Sequence, residues 1–208
     1  MIAGVVLAAG SSSRLGRPKQ LLPIHGEPML RYTLRRILAS SLDEILVVIG
    51  HEADTIRESI ADLPVTVALN PEAARGQSTS VIAGLQALAP ETEAAMFLLG
   101  DQPGVDPEVI DALIAAWRET GAPIIAPQYT DRIGNPMLFD RRVFPELAAL
   151  EGDAGARQIV RRYEKSGALH LVPVTILAPS DVDTEADYTA FIVSLAAIPP
   201  LPAHRERG

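Results

Sequence analysis

The sequence predicts an α/β fold in which helices cover a mostly parallel sheet, because apolar strand-like and helix-like segments alternate along it. Residues 2 to 7 form an unbroken apolar run that ends shortly before Gly10, which is typical of a strand buried on both faces. Leucine and isoleucine then recur at helical spacing over residues 30 to 38, and a second strand is predicted over residues 44 to 49. This alternation favours right-handed crossover connections between parallel strands.

The later segments continue the same alternation. Further strands are predicted over Val65 to Leu69, Ala94 to Leu99, Pro123 to Pro127 and Leu169 to Leu177. Pro64 is expected to end the short helix after the second strand. Asp106-Pro107 indicates the start of another helix, and Thr184 with Asp187 predicts a capping box for the last one.

Length, charge and composition restrict the class of protein. The 208 residues suffice for a single domain, expected over residues 1 to 197, with a frayed tail from 198 to 208. A net charge of −8 argues against nucleic-acid or anionic membrane partners, which need clustered cations. Cysteine is absent, so disulfides and thiolate sites are excluded. Without a signal peptide pattern or an apolar run of about 18 residues, we expect a cytoplasmic protein.

A loop of small residues follows the first strand and suggests a phosphate site. Gly10 and Gly16 leave room for backbone N–H groups to turn toward a ligand, and residues 11 to 13 are serines whose hydroxyls can donate. Two cations, Arg14 and Lys19, stand near its end. On the loop alone, a solvated strand-to-helix turn is an equally good interpretation.

A second polar loop, Asn70 to Ser80, leaves the predicted third strand. Ligands of α/β sheets bind outside the carboxyl ends of the strands, so both loops are expected to face one crevice. Taken by itself, however, this loop is better interpreted as a turn followed by Ser78 or Thr79 as a helix cap.

Two aspartates complete a possible transfer site. Asp101 comes directly after a buried strand, where an unpaired carboxylate is costly and a cation is expected. Asp183 stands just ahead of the last helix. Mg²⁺ is held by one or two carboxylates together with phosphate oxygens, and Lys19 and Arg14 would neutralise the charge that develops during phosphoryl or nucleotidyl transfer.

Other catalytic designs fit the sequence poorly. The four histidines are widely spaced and form no HExxH-like pair, which disfavours a zinc site. The first loop has neither the GxxxxGK[ST] spacing of P-loop ATPases nor GxGxxG, and the chain has no GxSxG motif of serine hydrolases.

Taken together, the motifs resemble those of the nucleotidyltransferases of molybdenum cofactor maturation, and most closely the MocA-like molybdenum cofactor cytidylyltransferases. The resemblance covers about residues 2 to 191. It is carried, in order, by LAAGSSSRLGRPKQLLP, NPEAARGQSTS, GDQPGV, RIGNPMLF, EGDAGAR and DVDT.

This resemblance implies a Rossmann-like three-layer α/β/α sandwich with a mostly parallel mixed sheet, of the nucleotide-diphospho-sugar transferase type. The implied reaction transfers CMP from CTP to the phosphate of molybdopterin and releases pyrophosphate, with Mg²⁺ or Mn²⁺ as cofactor. The implied partners are small-molecule substrates and a molybdoenzyme that receives the cofactor. Transfer from another nucleotide such as GTP, a sugar-phosphate acceptor, and a non-catalytic carrier of the cofactor remain alternatives.

The resemblance also assigns residues to roles. The catalytic residues would be Arg14, Lys19, Asp101 and Asp183, of which Asp101 and Asp183 would hold the metal. The nucleotide would be bound by Leu7, Ala8, Ala9, Gly10, Ser11, Ser12, Ser13, Gly16, Gly76 and Ser80. The molybdopterin side would be lined by Gln102, Pro103, Gly134, Asn135 and Arg157.

Overall fold

The structure is a computed structural model that describes residues 1–12, 15–153 and 155–195. Within these ranges the strands are β1 (Ile2–Leu7), β2 (Pro23–Ile24), β3 (Glu27–Pro28), β4 (Glu44–Ile49), β5 (Thr66–Leu69), β6 (Ala94–Leu99), β7 (Ile124–Gln128), β8 (Met137–Asp140) and β9 (Leu169–Pro173). The α-helices are α1 (Met29–Leu38), α2 (Ala53–Ser59), α3 (Gln77–Gln86), α4 (Pro107–Thr120), α5 (Phe144–Ala148), α6 (Arg157–Lys165) and α7 (Glu185–Ser194). The expected tail, residues 198 to 208, and two loop residues, Ser13 and Arg14, lie outside the described residues.

Seven strands form one mixed sheet in the order β5-β4-β1-β6-β8-β7-β9, and β2 and β3 form a separate antiparallel pair. Every neighbouring pair in the large sheet is parallel except those of β8, which runs antiparallel to both β6 and β7. Leu7 at the end of β1 lies in register with Val48 of β4 and Leu99 of β6. The loops that leave β1 and β6 therefore start side by side at one edge of the sheet.

Helices cover both faces of this sheet, as the alternation of segments predicts. On one face, Leu34 of α1 and Leu113 of α4 belong to the same buried cluster as Val6 of β1. On the other face, Val81 of α3 belongs to the cluster of Val5. Because successive strand residues point to opposite faces, Val5 and Val6 mark two separate cores and a three-layer sandwich.

Two predicted helix boundaries are confirmed and two are wrong. Asp106 caps α4 by accepting the N–H of Glu108, and both hydrogen bonds of the capping box at the start of α7 are present. In contrast, α2 ends at Ser59 rather than at Pro64, since Leu63 already turns back to bond the carbonyl of Ile60.

The second correction concerns the start of α3. The residue that caps this helix is Gly76, and Ser78 and Thr79 lie inside the first turn. Their hydroxyls are not needed as caps, because the N–H groups of Gln77 and Ser78 bond to the segment around residue 152. In the part of the chain that the structure describes, no helix has both the length and the apolar composition needed to cross a membrane.

Candidate active site

The segment after β1, residues 8 to 18, is called the phosphate loop below. It leaves the sheet after Ala8, whose N–H still bonds to the carbonyl of Val48. Beyond that point, the N–H groups of Ala9, Gly10 and Ser11 have no hydrogen-bond acceptor among the described residues. These three residues line a cleft of 440 Å³. Successive free backbone N–H groups in a concave loop form an anion-binding nest, so this part of the cleft fits phosphate.

Lys19 stands at the end of the phosphate loop, between two carboxylates. Its Nζ donates to Oδ2 of Asp101 at 2.5 Å and to Oδ1 of Asp183 at 2.6 Å. The side chains of Lys19, Asp101 and Asp183 are 13%, 22% and 42% exposed, so the pair with Asp101 is the better shielded from water. The residues that the resemblance names as catalytic cation and metal ligands thus meet at one point.

The pKa values of this pair are shifted by their surroundings. Burial by itself would lower the pKa of Lys19, but Asp101 and Asp183 outweigh burial and raise it above its ordinary value. Burial raises the pKa of Asp101 above its ordinary value; Lys19 opposes this shift only in part, and the negative charges of Asp181 and Asp183 add to it. Lys19 therefore stays charged near neutral pH, whereas the negative charge of Asp101 is only partly stabilised by Lys19.

The donor set fits a divalent cation held with the help of substrate phosphates. Oδ1 of Asp101 is buried and has no hydrogen-bond partner among the described residues, so one carboxylate oxygen remains for a cation. The described residues contain no group of three or more histidine, cysteine, aspartate or glutamate side chains that could hold a metal alone. This open oxygen of Asp101, with a second carboxylate on Asp183 nearby, suits Mg²⁺, which keeps waters and binds phosphate oxygens.

Two sets of contacts hold Asp183 next to Asp101. The N–H of Val182 donates to the carbonyl of Asp101 at 2.9 Å, and the side chain of Val182 is buried. Immediately afterwards, the capping box of Thr184 and Asp187 starts α7. The chain is thus fixed on both sides of Asp183. Nearby, Nε2 of Gln102 donates to Oδ1 of Asp181 at 2.8 Å.

The opposite rim of the cleft is built around Asn70, which is buried at the end of β5. Its Nδ2 donates to the hydroxyl oxygens of Thr79 and Ser80, both at 2.9 Å, while its Oδ1 accepts the N–H of Glu72. Ser80 lines the cleft and, in the described part of the chain, donates to no other group. Its hydroxyl proton is therefore available to a ligand.

A third segment, at Gly152 and Asp153, packs against this rim. Gly76 has a φ of +120°, and a Cβ atom there would lie 2.6 Å from the carbonyl carbon of Gly152. The N–H of Ser78 donates to the Gly152 carbonyl at 3.1 Å, and the N–H of Gln77 donates to Oδ1 of Asp153 at 3.3 Å. Only glycine at position 76 permits this close approach.

The structure brings together many, but not all, of the residues that the sequence suggested. Those that line the cleft are Leu7, Ala8, Ala9, Gly10, Ser11, Lys19, Gly76, Ser80, Asp101 and Arg157. Asp183 does not line it but reaches Lys19 from the side.

Other suggested residues lie elsewhere. Ser12 and Gly16 belong to the phosphate loop without lining the cleft, and the hydroxyl of Ser12 bonds to the side chain of Gln20 and the N–H of Lys19. Gln102 and Pro103 are buried beneath the site. Gly134 and Asn135 pack against Tyr129, whose hydroxyl donates to the Asn135 carbonyl at 2.7 Å.

Sequence reasoning missed Gln20, Gln77, Asp153 and Asp181, all of which line the cleft. Two of these had a usable signal, since Gln20 follows Lys19 directly and Asp181 belongs to the same short acidic run as Asp183. Gln77 and Asp153 are joined only by a tertiary contact, which no local pattern indicates.

A mostly parallel sheet whose edge carries a free backbone nest, a lysine and Asp101, with Asp183 beside them, suits nucleoside triphosphate transfer chemistry. The sequence matches the MobA-like NTP transferase domain over residues 4–167. The protein belongs to this nucleotidyltransferase family.

Two curated relatives are similar over most of their lengths. The Purine catabolism protein PucB of Bacillus subtilis (strain 168) is 31% identical over 199 residues, covering 90% of this chain and 94% of PucB. The Nicotine blue oxidoreductase of Paenarthrobacter nicotinovorans is 31% identical over 168 residues, covering 77% of this chain and 82% of that protein.

Solved structures agree with the fold. The homologue of Mycobacterium tuberculosis Rv0371c from Mycobacterium sp. strain JC1 is 35% identical, with a TM-score of 0.84 over 95% of this chain and 98% of its own. Rv0371c of M. tuberculosis H37Rv in complex with manganese is 33% identical, with a TM-score of 0.80 over 93% and 98%. A nucleotidyl transferase from Methanothermobacter is 24% identical, with a TM-score of 0.78 over 95% and 98%, and shows the fold alone. The predicted α/β nucleotidyltransferase fold is confirmed.

Proposed function

We propose that this protein transfers CMP from CTP to the phosphate of molybdopterin and releases pyrophosphate, using Mg²⁺ or Mn²⁺. The observation that carries the proposal is the position of Lys19, 2.5 Å from Asp101 and 2.6 Å from Asp183 beside three free N–H groups of the phosphate loop. Such a site provides a nest for phosphates, a cation, and carboxylates for a metal. The similarity to a protein solved with manganese supports the metal.

The reaction is an in-line displacement at the α-phosphorus of the nucleotide. An oxygen of the acceptor phosphate forms a new bond to this phosphorus, and the bond to the oxygen that bridges the α- and β-phosphates breaks. Pyrophosphate leaves with the bonding electron pair. Since the second pKa of a phosphate monoester is about 6, the attacking oxygen is already mostly ionised at pH 7 and needs no general base. The absence of histidine among the residues lining the described cleft agrees with such an acceptor.

The chain's own groups stabilise the charge that develops. The N–H groups of Ala9, Gly10 and Ser11 would hold phosphate oxygens, and Lys19 would move from the carboxylates to the leaving pyrophosphate. Asp101 and Asp183 would hold the metal, which supplies charge neutralisation across the phosphate oxygens. Arg14 is expected to assist Lys19, as the motif suggests.

The opposite rim would hold the base. Because Asn70 donates to the hydroxyl of Ser80, that hydroxyl is left as a donor toward the cleft and suits an acceptor such as the 2-carbonyl of cytosine. Ala9 lines the cleft, and its methyl group would leave less room for guanine than for a pyrimidine. Arg157, at the start of α6, also lines the cleft and would meet the phosphate of molybdopterin.

The decisive experiment measures pyrophosphate release from each of the four NTPs, with and without molybdopterin, in Mg²⁺ or Mn²⁺. We expect release only with CTP and molybdopterin together. The Asp101→Asn variant serves as control, because it removes the proposed metal ligand at constant side-chain size.

Other outcomes would point to the alternatives. Release with GTP, or with a sugar phosphate in place of molybdopterin, would retain the family's chemistry and replace the substrates. Binding of molybdopterin without pyrophosphate release from any NTP would favour a carrier that passes the cofactor to a molybdoenzyme, and would overturn the proposed reaction.

A further inference from the structure

Gln20 is a buried polar side chain directly behind the phosphate loop. Its side chain is almost inaccessible, with 3% of the residue exposed. Its Nε2 donates to the carbonyl of Ala8 at 2.8 Å and to the carbonyl of Gly10 at 3.1 Å. Both hydrogens of the amide are thereby used on the main chain of the loop.

These two hydrogen bonds determine which way the loop presents its N–H groups. In a planar trans peptide, the C=O of one residue and the N–H of the next point in opposite directions. Drawing the Ala8 carbonyl toward Gln20 therefore turns the N–H of Ala9 away from Gln20. The Gly10 carbonyl has the same effect on the N–H of Ser11. These are two of the N–H groups that line the cleft without an acceptor in the described chain.

The orientation of the Gln20 amide is itself fixed. Its Oε1 accepts the hydroxyl of Ser12 at 3.3 Å, and that hydroxyl oxygen accepts the N–H of Lys19 at 2.9 Å. An amide turned by half a rotation would place its oxygen against two carbonyl oxygens, which is unfavourable. The same network joins the nest to the backbone of the residue that supplies the cation.

We infer that Gln20 is the positioning residue of the triphosphate site: it makes no contact with the phosphates and orients the N–H groups that do. This inference rests on the proposed function, since it assumes that the phosphate loop binds the triphosphate. A purely structural role is the competing explanation, in which the hydrogen bonds of Gln20 stabilise the fold and leave phosphate affinity unchanged.

The test measures binding of inorganic tripolyphosphate and of CTP by calorimetry, below the melting temperature of each variant. Gln20→Glu retains the shape of the side chain but replaces the donor by a carboxylate, and Gln20→Met removes the hydrogen bonds at similar length. Hydrogen bonds to a charged group are each worth about tenfold to hundredfold in affinity. We therefore expect both variants to bind tripolyphosphate about 10- to 100-fold more weakly, with an equal factor for CTP because the base rim is unchanged.

A matched control separates positioning from stability. Thr33 is also fully buried, and its hydroxyl donates to the carbonyl of Met29 at 2.8 Å in α1, away from the cleft. Thr33→Val is expected to lower the melting temperature and leave both affinities within twofold. Gln20→Asn keeps the amide but shortens it by one methylene, so it provides the same comparison if the other substitutions prevent folding.

The outcomes distinguish this inference from the proposed function. If the unmodified protein binds no tripolyphosphate, the phosphate loop is wrongly assigned and the proposed function fails with it. If the unmodified protein binds and the folded Gln20 variants bind equally well, Gln20 has only a structural role and the inference is overturned.

Discussion

Replacing Lys19 by methionine is expected to affect metal binding and nucleotide transfer in opposite directions. Lys19 occupies the position between Asp101 and Asp183, where its ammonium group competes with a divalent cation for the same carboxylates. Methionine keeps the unbranched chain and removes the charge. Metal should then bind more tightly in the absence of nucleotide, while transfer should become slower because the leaving pyrophosphate has lost a cation.

The magnitudes follow from the geometry of the ion pairs. Removing one partner of a buried pair costs about 3–5 kcal/mol. Because Asp183 is 42% exposed and water can replace Lys19 there, we expect the lower end, about 3 kcal/mol of unfolding free energy. The freed carboxylates should raise the affinity for Mn²⁺ by at least about tenfold, or ~1.4 kcal/mol. Loss of one preorganised charge donor should reduce kcat by about 10²- to 10³-fold.

Calorimetric titration with Mn²⁺, chemical unfolding and pyrophosphate release together measure these three effects. The control is Lys165→Met, because Lys165 is the only other lysine in the sequence and lies in the last turn of α6. It should change none of the three beyond twofold. Full activity in Lys19→Met, or an unchanged affinity for Mn²⁺, would refute the assigned role of Lys19.

Three further predictions concern the same site. Asp101→Asn should abolish turnover with an unchanged circular dichroism spectrum, and Mn²⁺ should raise the melting temperature of the unmodified protein but not of this variant. Because burial raises the pKa of Asp101 above its ordinary 3.8, metal affinity should fall as the pH drops through that raised pKa. Over the same pH range above 3.8, the unfolding free energy of the metal-free protein should decrease as the pH rises, because the folded state binds the Asp101 proton more tightly than the unfolded state does. Potentiometric titration, or chemical unfolding at a series of pH values, measures the direction of this change. Gly76→Ala should raise KM for the nucleotide at least about tenfold, because its Cβ would strike the Gly152 backbone; an unchanged KM would contradict the packing described.

The sequence predicted those parts of the fold whose signals are local. The apolar run before Gly100 and the capping box after Asp183 indicated a strand end and a helix start, and both are confirmed. The rule that ligands bind at the carboxyl ends of parallel strands led to the expectation that the phosphate loop and the loop from Asn70 to Ser80 face one crevice. Residues of both loops line the cleft, in agreement with that expectation.

Features that depend on distant contacts were not predictable in this way. Ser78 and Thr79 are favourable cap residues, yet the backbone of a segment more than 70 positions away already satisfies the start of α3. Nothing in the local pattern around Gln20 indicates that its side chain turns inward to bond the carbonyls of Ala8 and Gly10. The cap of α3 and the orientation of the Gln20 side chain follow from tertiary contacts, which override local preference.

The contact of Gly76 with Gly152 and Asp153 has a consequence for how such proteins can diverge. The two segments border opposite substrates in the proposed reaction, and they share a close backbone approach and two hydrogen bonds. A change in one segment therefore alters the support of the other. Chimeras that exchange residues 151 to 157 with a relative should retain activity only when residues 76 to 78 are exchanged as well, so that donor and acceptor preference are inherited together.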